Sequence, residues 1–239
     1  MIEAHIKRIK ARHSISDEEE AAVHASIGEI RDYPARRTII EAGVEQSFST
    51  LLLKGFLCRY KDLKDGQRQV TAIHVPGDFA DLHSFTLKKL DHAIMTLTPC
   101  RAALVPHSRL EGITERFPHL TRVYWFSTNL DAAIHREWEL SLGRRPAMAR
   151  CAHLLAEFRF RLAVVGLAND RGYDLPISQI DLSECLGLTP VHVNRSLRRL
   201  REDGIVTFRH GRVDIHDLAG LEEVAEFDPA YLYPTAVPI

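Results

Sequence analysis

The side chains with the clearest chemical capability stand on one short stretch, TPVHVNRSLRRLRE, residues 189–202. Val193, Leu197 and Leu200 recur at the spacing of one helical face. At about 100° per residue, Val191, Arg195, Arg198 and Glu202 point the opposite way, with His192 and Arg199 on one flank and Asn194 on the other. A guanidinium presents its donors on a rigid plane that matches a guanine edge or a phosphate. A helix pinned by a few leucines with its arginines turned outward suits the major groove of DNA. The alternative is a solvated basic face on an ordinary helical hairpin.

The flanking residues supply what such a helix needs. Ser178 is an N-cap, and Asp181 three residues on completes a capping box. Leu182 and Leu186 give that first helix its apolar face, and Gly187 stands where a left-handed residue would end it. Thr189 caps the second helix with Pro190 at its first position, and Asp203-Gly204 closes it. Residues 205–208, the pair His210-Gly211 and residues 213–215 then predict strand, turn and strand, a β-wing. Upstream, Met148, Ala152, Leu155, Phe158, Leu162 and Val165 mark an amphipathic helix that would carry this domain. Residues 169–175 read as a polar loop between the two. A last helix is predicted from Asp217, and the sequence leaves open whether the tail after Phe227 packs on the wing.

Other chemistry is sparsely represented. Cys58, Cys100, Cys151 and Cys185 are far apart and form no C-x-x-C, which argues against zinc, an iron–sulfur cluster or a disulfide framework. They fit a reducing cytoplasm, and Cys185 reads as a core residue rather than a redox switch. No P-loop, G-x-S-x-G, H-E-x-x-H or paired-carboxylate pattern occurs, so no enzymatic activity is expected.

The whole chain must position these groups. Its 239 residues are 45% hydrophobic and 26% charged with net charge −1, and residues 147–239 carry ten Arg and no Lys against thirteen carboxylates. Any hold on nucleic acid must therefore come from a local patch. The longest apolar run, 162–168, is too short to span a bilayer. No signal-peptide h-region is present, so an intracellular protein without a membrane partner is expected.

Residues 1–32 read as helical, with a capping box from Ser16 to Glu19 and apolar Val23, Ile27 and Ile30. From Tyr33, glycine turns at 43, 55, 66 and 77 separate strand-like runs at 37–41, 48–53, 56–62 and 69–75, followed by 93–97 and 101–105. Regular short strands with Gly at the corners predict an antiparallel roll or barrel. After Phe117-Pro118 a long helix begins. Leu120, Val123, Leu130 and Ile134, with Ser127 in the gap, form a rough heptad seam that Trp138 extends. Tyr124, Trp125, Phe126 and Trp138 widen its apolar surface to two sides, which suits its own β-roll on one and a second copy of the chain on the other; the alternative is an intradomain core helix. Arg144-Arg145-Pro146 interrupts it as a hinge. The expected domains are 1–117, 118–145 and 146–239, an α+β arrangement.

The order of β-roll, long helix, hinge and winged helix-turn-helix resembles the CRP/FNR family of bacterial transcription regulators. The likeness spans residues 33–221, and its most specific segments are VPGDF (75–79) and LGLTPVHVNRSLRRLREDGIV (186–206). It implies a jelly-roll sensor domain like those that bind cyclic nucleotides. Homodimerisation through Leu120, Val123, Ser127, Leu130, Ile134 and Trp138 is expected with it. The implied partners are double-stranded DNA, a second copy of the chain and RNA polymerase.

Carried over by residue, the family's recognition arginine falls on Arg195. Val191 replaces a glutamate and can meet only a thymine methyl. His192 and Asn194 are candidates for base edges beside Pro190. Arg198, Arg199, Thr189 and the wing's Arg209 or Arg212 are expected on phosphates.

The implied effector pocket departs from the pattern of cyclic-AMP-binding members. Leu82, next to Asp81, replaces the ribose-binding glutamate. His92-Ala93 replaces the Arg-Ser pair, and His135 and Arg136 replace small hydroxyl residues on the long helix. Little or no cyclic AMP binding is therefore expected. The absence of cysteine before Cys58 excludes the family's N-terminal iron–sulfur cluster. Heme on His74, His83, His92 or His107 is the remaining option, against hydrogen-bonded or exposed histidines, and no cofactor is predicted. Effector-independent DNA binding leads. The alternative is a cyclic-nucleotide, heme or small-molecule sensor whose DNA binding requires that ligand.

Overall fold

In the computed structural model, which describes residues 1–236 and 239, the N-terminal region is two helices rather than one helical stretch: α1 (Glu3–Lys10) and α2 (Asp17–Ala25). The capping box forms as read: Ser16 Oγ accepts the Glu19 N–H at 3.2 Å and Glu19 Oε2 accepts the Ser16 N–H at 2.9 Å. Ile30, expected on a helix, opens strand β1 (Ile30–Tyr33) instead.

Six further strands follow: β2 (Thr38–Ile40), β3 (Phe48–Lys54), β4 (Leu57–Asp62), β5 (Arg68–His74), β6 (Ala93–Thr96) and β7 (Cys100–Pro106). They form two antiparallel sheets, ordered β1-β7-β3 and β2-β6-β4-β5. Successive side chains on a strand face opposite ways, and β3 feeds two cores accordingly. Leu52 joins Ile40, Leu57, Ala80 and Ile94 inside the roll, while Leu51 joins Ile6, Phe79, Leu82, Leu110, Leu120 and Tyr124 beneath the helices. Two helices that the sequence did not announce, α3 (Ser84–Leu87) and α4 (His107–Arg116), close this side.

The long helix is α5 (Pro118–Arg144). Its predicted dimer seam lies inside the chain. Leu120, Val123, Leu130, Ile134 and Trp138 are all buried, at 0–7% exposure, and Ser127 is half-buried. The five apolar residues are thus covered within the single chain, and Ser127 stays half-open. The exposed stripe carries Arg122, Trp125, Asn129, Ala132, Arg136, Glu139 and Gly143, spaced three and four apart in alternation. Trp125, at 67% exposure, is its one large apolar residue.

The chain divides into two compact units. One comprises Met1–Lys61, Thr71–Ala133 and the described residues from Tyr233 on; the other comprises Asp62–Val70 and Ile134–Leu232. The division falls within α5, where the sequence placed boundaries at 117/118 and 145/146. The second half of α5 is tied to the helix that follows, α6 (Ala147–Val164): Trp138 Nε1 donates to Glu157 Oε2 at 2.9 Å.

Beyond α6 the second unit contains β8 (Ala168–Asn169), β9 (Gly172–Asp174), α7 (Gln179–Leu186), α8 (Pro190–Glu202), β10 (Val206–Arg209), β11 (Arg212–Ile215) and α9 (Leu218–Ala225). The predicted polar loop at 169–175 is a turn between two short strands: β8 and β9 extend the wing into a sheet ordered β10-β11-β9-β8. Gly172 permits this, since at φ +140° a Cβ would collide with the Val213 carbonyl oxygen. The tail packs on α6 rather than the wing. A 3-10 turn, Pro229–Leu232, places the Tyr231 hydroxyl 2.9 Å from Glu157 Oε2 and its ring flat against His153. Among the described residues no helix is long and apolar enough to cross a membrane.

Candidate nucleic-acid interface

Local chemistry builds α7 and α8 as the sequence indicates. Ser178 and Asp181 exchange cap hydrogen bonds, the Asp181 N–H to Ser178 Oγ at 3.2 Å and the Ser178 N–H to Asp181 Oδ2 at 2.6 Å. Gly187 ends α7 at φ 59°, ψ 38°, a left-handed conformation in which a side chain is strained. Thr189 Oγ1 then accepts the His192 N–H at 3.3 Å to start α8. Val193, Leu197 and Leu200 are buried, as is Cys185, a core thiol at 2% exposure. Asn194 Nδ2 donates to Gln179 Oε1 at 3.2 Å and fixes one helix on the other.

The opposite face is open. Thr189, Pro190, Val191, His192, Asn194, Arg195, Arg198, Arg199, Arg209 and Arg212 are all exposed. They differ in how far they are already committed. Arg198 Nε donates to Glu202 Oε1 at 2.7 Å and Arg199 Nε to Asp203 Oδ2 at 2.8 Å, both at i,i+4. Among the described residues, Arg195 and Arg209 have no ion-pair partner. Arg212 is the most committed: it pairs with Asp214 at 2.8 Å and with Asp174 at 2.9 Å. Its guanidinium is thus shared by two carboxylates, one of them on β9, which the sequence read as loop. Val191 is 74% exposed at the leading end of α8, an apolar group with nothing of the chain over it.

Two family models match the chain: a Crp-like helix-turn-helix domain over residues 149–224 and a cyclic nucleotide-binding domain over residues 30–117. The transcriptional activator protein FnrL of Cereibacter sphaeroides is 30% identical over 218 residues, 89% of this chain and 86% of that protein. This chain belongs to the CRP/FNR family. Among other relatives of this CRP/FNR protein, the nitrogen fixation regulation protein FixK of Bradyrhizobium diazoefficiens is 32% identical over 208 residues, 85% of this chain and 81% of that one. The solved structure of FixK2 from Bradyrhizobium japonicum superposes with a TM-score of 0.75 at 27% identity, covering 82% of this chain and 96% of that one.

Does the β-roll of this CRP/FNR protein fit a cyclic nucleotide? Asp81 is fully buried and accepts the Thr50 N–H at 2.5 Å; burial pushes its pKa up to about 7. Leu82 belongs to the helix-side core with Phe79, Leu110 and Tyr124. His92 is buried with Nδ1 3.0 Å from Asp91 Oδ1, and burial lowers its pKa, so it supplies no fixed charge for a phosphate. Ala93 is buried in β6. His135 and Arg136 fall in the second unit, half-buried and exposed respectively.

The cation inside the roll is one the sequence reading missed, Arg59. It is 3% exposed, its Nε donates to the Ala80 carbonyl at 2.7 Å, and its Nη1 donates to Asp131 Oδ2 at 2.6 Å. Its register held the clue, since Arg59 lies two residues after the interior-facing Leu57. Leu82 offers no hydrogen-bonding group, and the Arg59 guanidinium is taken up by the Ala80 carbonyl and the Asp131 carboxylate.

The four histidines weighed for heme stand in different surroundings, and among the described residues Nε2 of His92 is buried without a hydrogen-bond partner. His107 Nε2 lies 3.3 Å from Ser49 Oγ and 3.2 Å from Ser84 Oγ, His74 lies 3.8 Å from Asp78, and the His83 and His92 rings are 5.3 Å apart. Among the described residues no group of three or more His, Cys, Asp or Glu comes together as a metal site.

Proposed function

We propose that this protein is a homodimeric, sequence-specific regulator of transcription that reads a pseudo-palindromic DNA site without waiting for cyclic AMP. The observation that carries the reading is the outer face of α8, where an uncommitted Arg195 stands in an exposed row from Thr189 to Arg199. Arg195 addresses a guanine through O6 and N7; Val191 meets a thymine methyl; Arg198, Arg199 and Arg209 hold phosphates.

Two copies are needed to read two half-sites related by a two-fold axis. The stripe from Arg122 to Gly143 is open to such a pairing, with the exposed Trp125 as its large apolar group. Independence from cyclic AMP is supported by Arg59 inside the roll, Leu82 in the helix-side core and the uncharged His92. RNA polymerase in the cytoplasm is the partner this role requires.

The test is selection from a pool of random duplexes by the purified protein with no ligand, repeated with cyclic AMP. Enrichment of one palindrome in both arms is the expected result. Enrichment only with cyclic AMP overturns the ligand independence, and no enrichment in either arm overturns the reading as a ligand-free DNA binder.

A further inference from the structure

A buried cation needs a reason. Taking a guanidinium out of water is unfavourable unless its donors are matched, and at residue 59 an aliphatic side chain would avoid that cost. Arg59 shares a strand face with Leu57, whose side chain lies in the roll's apolar interior. Its guanidinium is met on two sides: by the Ala80 carbonyl, in the segment that follows the Gly77-Asp78 turn, and by the Asp131 carboxylate on α5. One planar group therefore joins three elements of the first unit: strand β4, the 75–81 segment and the long helix.

Behind it, Asp81 is fully buried, and His92 stands close enough to feel the guanidinium's charge. Asp131 keeps 28% of its side chain exposed, so the bridge closes at the roll's edge rather than deep inside it.

We propose that Arg59 is the roll's own ligand. The Ala80 carbonyl and the Asp131 carboxylate form a receptor for a guanidinium cation, the chain fills it from β4, and this holds α5 to the roll as a bound effector would. This rests on the reading above of a regulator that binds DNA without a ligand. It adds a binding chemistry to that reading: once Arg59 is truncated, the vacated receptor takes a small alkylguanidinium.

The experiment uses the full chain as wild type, Arg59→Ala, Arg59→Met and Asp131→Asn, with ethylguanidinium at millimolar concentration as the probe. Amide hydrogen exchange in the α5 segment around Asp131 and affinity for the wild-type-selected duplex are read in parallel. Arg59→Met keeps the volume and loses the fork, so it separates bridging from filling. The expected result is faster exchange in α5 and duplex binding weakened about tenfold or more, through a shifted population of α5 arrangements, for all three variants. Ethylguanidinium restores Arg59→Ala and leaves wild type and Asp131→Asn unchanged.

Wild-type exchange and affinity in Arg59→Met would show that the residue is only a core filler and overturn the proposal. Defects in Arg59→Ala that ethylguanidinium leaves untouched overturn it as well. If the wild type selects no duplex, the regulator reading fails, and the exchange measurements still decide whether Arg59 bridges to α5.

Discussion

Trp138 Nε1 and Glu157 Oε2 lie 2.9 Å apart, joining the last turns of α5 to the middle of α6 through a carboxylate with no exposed surface. The same carboxylate accepts Arg161 Nη1 at 2.9 Å and the Tyr231 hydroxyl at 2.9 Å. Removing it takes one acceptor from a buried guanidinium and from two further donors. Glu157→Ala is expected to cost about 3–5 kcal/mol of stability, whereas Tyr231→Phe, which removes one hydroxyl, costs about 1 kcal/mol. Urea unfolding measures both, and equal losses would show that the tail's hydroxyl, not the carboxylate, holds the corner.

The two kinds of α8 arginine should respond differently to truncation. Arg195→Ala is expected to lose about 1–3 kcal/mol of discrimination at one base pair of each half-site. Arg198→Ala should weaken all duplexes alike. Competition binding against single-base variants of the selected site measures the difference, and identical profiles for both variants would refute the assignment of roles.

Association should depend on the exposed stripe of α5 rather than on the apolar one. Trp125→Glu is expected to yield monomers in sedimentation with an unchanged melting temperature. Leu130→Ala is expected to cost about 2–5 kcal/mol of folding stability and leave self-association of the folded chain intact. The reverse pattern would return the interface to the buried seam.

Asp81 should leave a signature in the pH dependence of stability. Burial outweighs the Thr50 N–H and Arg59, which favour its ionised form, and its pKa is pushed up to about 7. An unfolded aspartate titrates near ~3.9. Between these values the native state holds a proton that the unfolded state lacks, so the contribution is full below about 4 and is lost as pH rises through about 7. His5 and His153 act with the opposite sign. Burial lowers them to about 4 and about 3, and their contribution is lost as pH falls through those values. Subtracting Asp81→Asn from wild type isolates the aspartate: the stability difference in favour of wild type should be larger at pH 5 than at pH 8. A flat difference rules this out.

The helix-turn-helix was legible because its determinants are local. Ser178, Gly187 and Thr189 fix the ends of α7 and α8 through groups within three or four residues, and Val193, Leu197 and Leu200 declare the buried face by periodicity. The α5 seam was misread because a heptad of apolar residues announces burial without saying what does the burying. The core of the first unit claims Leu120, while the exposed stripe offers only Trp125 as an apolar signal. Strands β8 and β9 span only two and three residues, and although they pair with each other locally, β9 also pairs with β11 across some forty positions, outside any window around 169–175. Arg59 was missed because arginine on a strand reads as an outward residue unless its phase relative to Leu57 is followed.

The pairs Arg198–Glu202, Arg199–Asp203 and Arg212 with Asp174 and Asp214 also bear on how salt acts on the complex. Each of these arginines brings its own counter-ion, built into the chain. A phosphate that takes Arg198 or Arg199 displaces a carboxylate as well as condensed cations from the DNA. The carboxylate then stands near the polyanion and must recruit a cation of its own. The net release of small ions per contact is therefore smaller than the number of arginines suggests. The logarithm of affinity should fall with the logarithm of salt concentration less steeply than for a helix whose arginines are all unpaired, and Glu202→Gln should steepen that slope while strengthening binding to any sequence.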